Sequence, residues 1–179
     1  MDVIVSFLKR VEKALETHNY DIFLKPKQVI LIERVALQRK DVIGILPTGY
    51  GKSVIFQILP FIIPTQSRRN IIVVVCPLTS IILDQITALK LNNIVGAALH
   101  CEKYTGRNEI EKLFTSASRY DYSLKGTIGD NISSGDLDML FAHPEDLLSE
   151  EGRMLMKSAV YKKNVVACII DEAHCIEKW

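Results

Sequence analysis

Val42-Ile43-Gly44-Ile45-Leu46-Pro47-Thr48-Gly49-Tyr50-Gly51-Lys52-Ser53 joins a short apolar run to a glycine-containing turn, and then to a helix-compatible stretch reaching Ile63. Strand, loop and helix in that order are what a phosphate-binding loop requires, because backbone N–H groups at a helix start must wrap an anion. Gly49 and Gly51 allow the tight wrap. Lys52 supplies a mobile positive charge for the β- and γ-phosphates, and the Ser53 hydroxyl a ligand for magnesium. Pro47, Thr48, Gly49, Tyr50, Gly51, Lys52 and Ser53 are therefore the candidate nucleotide-binding residues. The general pattern has Gly at its first position, where this chain has Leu46. Taken in isolation, the segment also reads as a Gly-rich turn at a helix start.

The flanking sequence repeats the alternation of strand and helix. Ile71 to Cys76 precedes a helix from about Ser80 to Leu91, Leu137 to Ala142 precedes Pro144, and Val165 to Ile170 precedes Asp171. Strands with no polar alternation are covered on both faces, and repeated β-then-α order demands a parallel sheet with right-handed crossovers. The expected fold is α/β, a mostly parallel sheet flanked by helices. Upstream, Val5, Leu8, Val11 and Leu15 fall on one helical stripe, and Pro26 opens a second helix carrying Val29, Ile32, Val35 and Ala36. Residues 1–38 are thus expected to form N-terminal helices ahead of the loop. Residues 117–136 are rich in Ser, Gly, Asp and Asn and read as an irregular insertion.

Length and composition bound the function. A chain of 179 residues, 48% apolar, is one globular domain with a buried core, and a formal charge of +1 excludes a basic coat for duplexes. Near-neutrality leaves room for a protein that grips a few phosphates with helix starts and scattered cations. Cys76, Cys101, Cys168 and Cys175 form no Cys-x-x-Cys pair, which points to reduced thiols and away from zinc. The apolar runs are too short to span a bilayer, so a soluble protein is expected.

Val165 to Ile170 runs into Asp171-Glu172-Ala173-His174, setting two carboxylates at the end of a buried strand, where α/β folds keep their ligand crevice. Asp171 is the expected magnesium ligand. Glu172 is the expected base for the water that attacks the γ-phosphate, and His174 a sensor of that phosphate. Acidic residues also favour any helix start, so this tetrapeptide alone leaves both readings open.

With these two motifs in place, the chain resembles RecQ-like ATP-dependent DNA helicases of helicase superfamily two, whose loop has the form Pro-Thr-Gly-x-Gly-Lys-Ser. Four further segments carry the resemblance. Leu24-Lys25-Pro26-Lys27-Gln28 is similar to the family's adenine-reading motif Phe-Arg-Pro-Gly-Gln; Gln28 offers an amide donor and acceptor, while Lys25 replaces an arginine that would stack flat on a base. The segment from Cys76 to Gln85 resembles motif Ia and that from Phe141 to Leu147 resembles motif Ib. Their matched positions Pro77, Leu78, Ser80, Pro144 and Glu145 are expected to meet a single-stranded backbone. Cys175 to Trp179 resembles the start of an aromatic-rich loop that separates RecQ-like from RNA helicases, with Trp179 available to stack on a base. Glu177-Lys178 departs from the family's Ser-Gln.

The resemblance implies ATP and Mg2+ as cofactors, single-stranded or forked DNA as partner, 3′-to-5′ unwinding, and a location in the nucleus, or in the cytoplasm of a prokaryote. It covers residues 1–179 as one RecA-like ATP-binding lobe, expected to stop after the Asp-Glu-Ala-His motif and to lack some strands of a full lobe. A second RecA-like lobe carrying an arginine finger is expected in the complete protein. Such a finger is worth about a thousandfold or more in rate, so the chain alone should bind nucleotide and turn it over poorly. A DEAD- or DEAH-type RNA helicase lobe and an inert, nucleotide-gated nucleic-acid-binding module are the competing readings.

Overall fold

The computed structural model describes residues 2–66, 69–99 and 127–178. Helices α1 (Asp2–Thr17) and α2 (Pro26–Ala36) come first, then the loop and the two short helices α3 (Lys52–Gln57) and α4 (Leu59–Ile62). There follow β1 (Ile71–Val75), α5 (Thr79–Leu91), β2 (Gly96–Ala98), α6 (Thr127–Ser134) and β3 (Met139–Ala142). Helices α7 (Pro144–Leu148), α8 (Glu150–Lys157) and α9 (Ala159–Asn164) lead into β4 (Val165–Ile170), and a 3-10 turn covers Ala173–Lys178. The four strands form one sheet in the order β2-β3-β1-β4, every pairing parallel. This is the α/β arrangement expected from the alternation of apolar runs and helices.

Successive strand residues face opposite sides, and the core divides accordingly. Ile72 and Val74 of β1, with Met139 and Phe141 of β3, pack against Phe7, Ile32, Leu59, Ile82 and Leu89 from the helices on one face. Ile71, Leu140 and Ala142 face the other side with Leu137 and Tyr161. Full burial of an Ile, Leu or Phe side chain stabilises by about 1.5–3 kcal/mol, so these two layers fix the sheet. Tyr161 takes its hydroxyl inside and donates to the Ile132 carbonyl at 2.9 Å; burial pushes that phenol up to about 12.

Several expectations are corrected. Residues 42–46 form no strand, and Ile43 and Ile45 are 92% and 88% exposed where a sheet strand would bury them. A strand needs a partner for its N–H and C=O groups, and among the described residues none pairs with this segment. On α1 the buried positions are Phe7, Val11, Ala14 and Leu15, with Val5 and Leu8 exposed. The stretch from Lys52 to Ile63 is two helices that meet at Ile58. In the segment 117–136, Thr127–Ser134 is helical; residues 117–126 lie outside the described region, as does Cys101.

Candidate nucleotide-binding site

β1 feeds α5, which returns to β2 on one side, while β3 connects through α7 to α9 to β4 on the other. Connections therefore leave in opposite directions from the carboxyl ends of β1 and β3, and it is at this end that open parallel sheets hold ligands. Both expected motifs meet there. Asp171 continues the ladder, its N–H donating to the Val75 carbonyl at 2.9 Å. Lys52 opens α3, and its Nζ lies 3.9 Å from Glu172 Oε1. His174 Nδ1 stands 3.1 Å from the other Glu172 oxygen, with most of the ring in solvent.

Local backbone conformation explains the residue types. Gly49 and Gly51 have φ of +74° and +89°, values that carry a steric cost for any residue with a Cβ. At Gly51 a Cβ would also come within 2.7 Å of Gln28 Nε2. The Tyr50 N–H closes the turn on the Pro47 carbonyl at 3.2 Å. Glu172, a non-glycine residue, has φ of +52°, a strained conformation of the kind found at functional sites. Burial pushes the Asp171 carboxyl above its ordinary range, an effect opposed by the Glu172 N–H at 3.0 Å, increased by the Glu172 charge and opposed by Lys52. The neighbouring Cys76 thiol is also raised, first by burial and then by Asp171 and Glu172.

Gln28, the residue expected to read adenine, lies against the loop. It is buried, its oxygen accepts from the Lys25 N–H at 2.7 Å, and its Nε2 donates to the carbonyls of Tyr50 and Gly51 at 3.2 and 2.9 Å. A primary amide has two N–H donors, and both are used. Gln28 thus fastens the loop. Lys25 is exposed; its Nζ donates to the Tyr50 carbonyl at 3.1 Å and lies 4.5 Å from the centre of the Tyr50 ring.

The loops after β1 and β3 come together through Thr79 Oγ1 and His143 Nε2, 3.1 Å apart. Leu78, Ser80 and Glu145 are exposed, Pro77 is half-buried, and Pro144 is buried at the start of α7. Trp179 lies outside the described residues. Thr79 and His143 stand inside the segments singled out in the sequence, yet their link spans 64 positions and has no local signal. Away from this crevice, at the opposite end of β1 and β3, a cleft of about 400 Å³ is lined by Arg10, Phe61, Pro64, Arg69, Asn70 and Asp138.

A glycine-wrapped loop at a helix start, facing two carboxylates across a parallel sheet, defines a P-loop nucleotide-binding lobe of the RecA-like kind. The family of DEAD/DEAH box helicases matches residues 25–179, and the chain belongs to that family. Among its relatives are the ATP-dependent DNA helicase RecQ of Synechocystis, 30% identical over 160 residues, and the ATP-dependent helicase SGS1 of Saccharomyces cerevisiae, 28% identical over 156 residues. The bifunctional 3′-5′ exonuclease/ATP-dependent helicase WRN of Mus musculus is 30% identical over 165 residues. These alignments take in 89%, 87% and 92% of this chain but only 28%, 10% and 10% of the three relatives, so the chain spans less than a third of each.

Proposed function

We propose that this chain is the ATP-binding lobe of a RecQ-like 3′-to-5′ DNA helicase, working against a second lobe to couple ATP hydrolysis to strand separation. The observation that carries the proposal is the approach of Lys52 to Glu172, 3.9 Å apart, from a helix start and a strand end separated by 120 positions of sequence. Without nucleotide the Lys52 ammonium is balanced by the Glu172 carboxylate. An incoming triphosphate offers Lys52 a stronger anion, which frees Glu172 to accept a proton from the attacking water. His174, beside the second Glu172 oxygen, orients that carboxylate. Gln28 and Lys25 hold the Tyr50–Gly51 turn so that its N–H groups are ready for phosphate.

The residues fit a magnesium ion. Ser53 and Asp171 offer the hard oxygen donors that Mg2+ takes, and burial already makes the Asp171 charge costly, a cost that a cation would offset. Bound with the triphosphate, the ion would neutralise phosphate charge. Exposed Leu78, Ser80 and Glu145, together with Pro77, are the proposed contacts for a single-stranded backbone.

Titration of the chain with a fluorescent ATP analogue tests the lobe. Wild type should bind in a magnesium-dependent way, and Lys52→Ala should weaken binding about 10- to 100-fold, the worth of a charge-assisted contact. Equal affinity of the two proteins overturns the assignment. For a protein supplied with its second lobe, ATPase stimulated by single-stranded DNA supports the DNA helicase. Stimulation by RNA alone favours the RNA helicase, and tight binding with no turnover favours an inert module.

A further inference from the structure

Behind the phosphate loop a run of side-chain hydrogen bonds leads from Ser53 into residues outside the loop. Ser53 and Gln57 stand one helical turn apart on α3, at positions i and i+4 that share a face. A single amide from α5 engages both: Gln85 Nε2 donates to Ser53 Oγ at 2.8 Å, and Gln57 Nε2 donates to Gln85 Oε1 at 2.8 Å. The Tyr20 hydroxyl, from the turn after α1, donates to Gln57 Oε1 at 2.6 Å. Gln57 is buried, and Gln85 sits beside the buried Ile82, Ile86 and Leu89 of α5, so the groups are held by the core.

The donations run one way, from Tyr20 to Gln57 to Gln85 to Ser53. Turning either amide alone would set N–H against N–H or oxygen against oxygen, a buried mismatch, so neither amide rotates independently. Burial pushes the Tyr20 phenol up to about 12, which keeps its proton in place at physiological pH. A serine hydroxyl has two lone pairs and one hydrogen. Gln85 takes one lone pair and fixes the side chain, leaving the second for another partner.

We propose that Gln85 is a positioning residue for the magnesium–nucleotide complex: by donating to Ser53 Oγ, with its own amide locked by Gln57 and Tyr20, it aims the remaining Ser53 lone pair at the cation. The inference rests on Ser53 being the magnesium ligand proposed above. Groups that orient a metal ligand from behind change metal affinity about 10- to 100-fold when removed. Their removal leaves metal-free contacts alone.

The test uses the chain of 179 residues and a fluorescent ATP analogue, titrated in Mg2+ and in EDTA; the ratio of the two affinities is the readout. Ser53→Ala should abolish the magnesium advantage. Gln85→Leu should lower it about tenfold while affinity in EDTA stays within about twofold of wild type. The double variant should match Ser53→Ala, because both changes act through one hydroxyl. Gln85→Met keeps the length but makes no hydrogen bond to Ser53; it should lower the ratio too and serves if the leucine variant misfolds. Tyr20→Phe should lower it in the same direction, by less. A ratio unchanged in Gln85→Leu or Gln85→Met, or an effect that adds to that of Ser53→Ala, overturns the proposal. Unchanged binding in both Lys52→Ala and Ser53→Ala would instead sink the nucleotide site itself.

Discussion

Replacing Gln28 with glutamate isolates its hold on the loop, because the change swaps an NH2 group for an oxygen at constant shape. The introduced carboxylate can still accept from the Lys25 N–H, now at 2.7 Å, but loses the donations to the Tyr50 and Gly51 carbonyls. Each lost bond costs about 1 kcal/mol, and facing an anion with two carbonyl oxygens at a buried position adds to that, for about 2–4 kcal/mol at pH 8. Burial and those carbonyls raise the new carboxyl's pKa above its unfolded value of about 4.3. An acid whose folded pKa is raised favours its neutral form in the fold, so its contribution is best below the unfolded pKa and is lost as pH rises through the folded one. The deficit against wild type should therefore shrink as pH falls towards about 5, where a neutral carboxyl regains one donor. Urea denaturation at pH 8 and pH 5 measures this directly, and binding of the fluorescent ATP analogue at pH 8 should weaken in parallel. If the variant equals wild type in stability and binding at pH 8, or its deficit widens on acidification, Gln28 does not hold the loop.

The remaining predictions concern the loop glycines, Asp171 and the far end of the sheet. Gly51→Ala should cost more nucleotide affinity than Gly49→Ala, since both force positive φ, worth about 1–2 kcal/mol, but only at Gly51 does the new methyl meet Gln28. Adding Gln28→Ala to Gly51→Ala should recover none of the strain but relieve the clash, and a titration series of the four proteins checks this. Asp171→Asn should raise the melting temperature of the nucleotide-free protein above pH 6, because the raised pKa means ionisation opposes folding there. The same variant should lose at least about tenfold in magnesium-dependent affinity. Asp138 is buried, accepts from Arg69 at 2.9 Å and from the Val95 N–H at 2.9 Å, and lies away from the crevice. Asp138→Ala should cost about 3–5 kcal/mol in denaturation while nucleotide affinity in the folded protein stays within about twofold.

What the sequence made legible was local in origin. Gly49, Gly51, Lys52 and Ser53 fall within one short stretch, and the strand Val165–Ile170 runs straight into Asp171, so pattern alone places Lys52 at a helix start and Asp171 at a strand end. The buried face of α1 is not legible from spacing because Val3, Ile4, Val5, Phe7, Leu8, Val11, Ala14 and Leu15 make two overlapping apolar faces, and periodicity does not say which meets α4. Residues 42–46 differ from expectation for a related reason: their composition suits a strand, but a ladder is a property of pairs.

The same distinction separates the two tiers of the site. A glutamine carries no signature of its partner, and the bonds that define Gln28, Gln57 and Gln85 span 23, 37 and 32 positions. Each uses a neutral amide; Gln28 meets the loop from α2, and Gln85 meets Ser53 and Gln57 of α3 from α5. Charges at the mouth of the crevice can be recognised from type and spacing because few other residues would perform their chemistry. Amides behind it serve through direction alone, since an N–H aimed at an oxygen is lost on substitution by the isosteric acid. Glutamate in place of Gln28 is therefore a direct probe of that direction: it keeps volume, removes the donated bonds and sets a charge against two carbonyl oxygens.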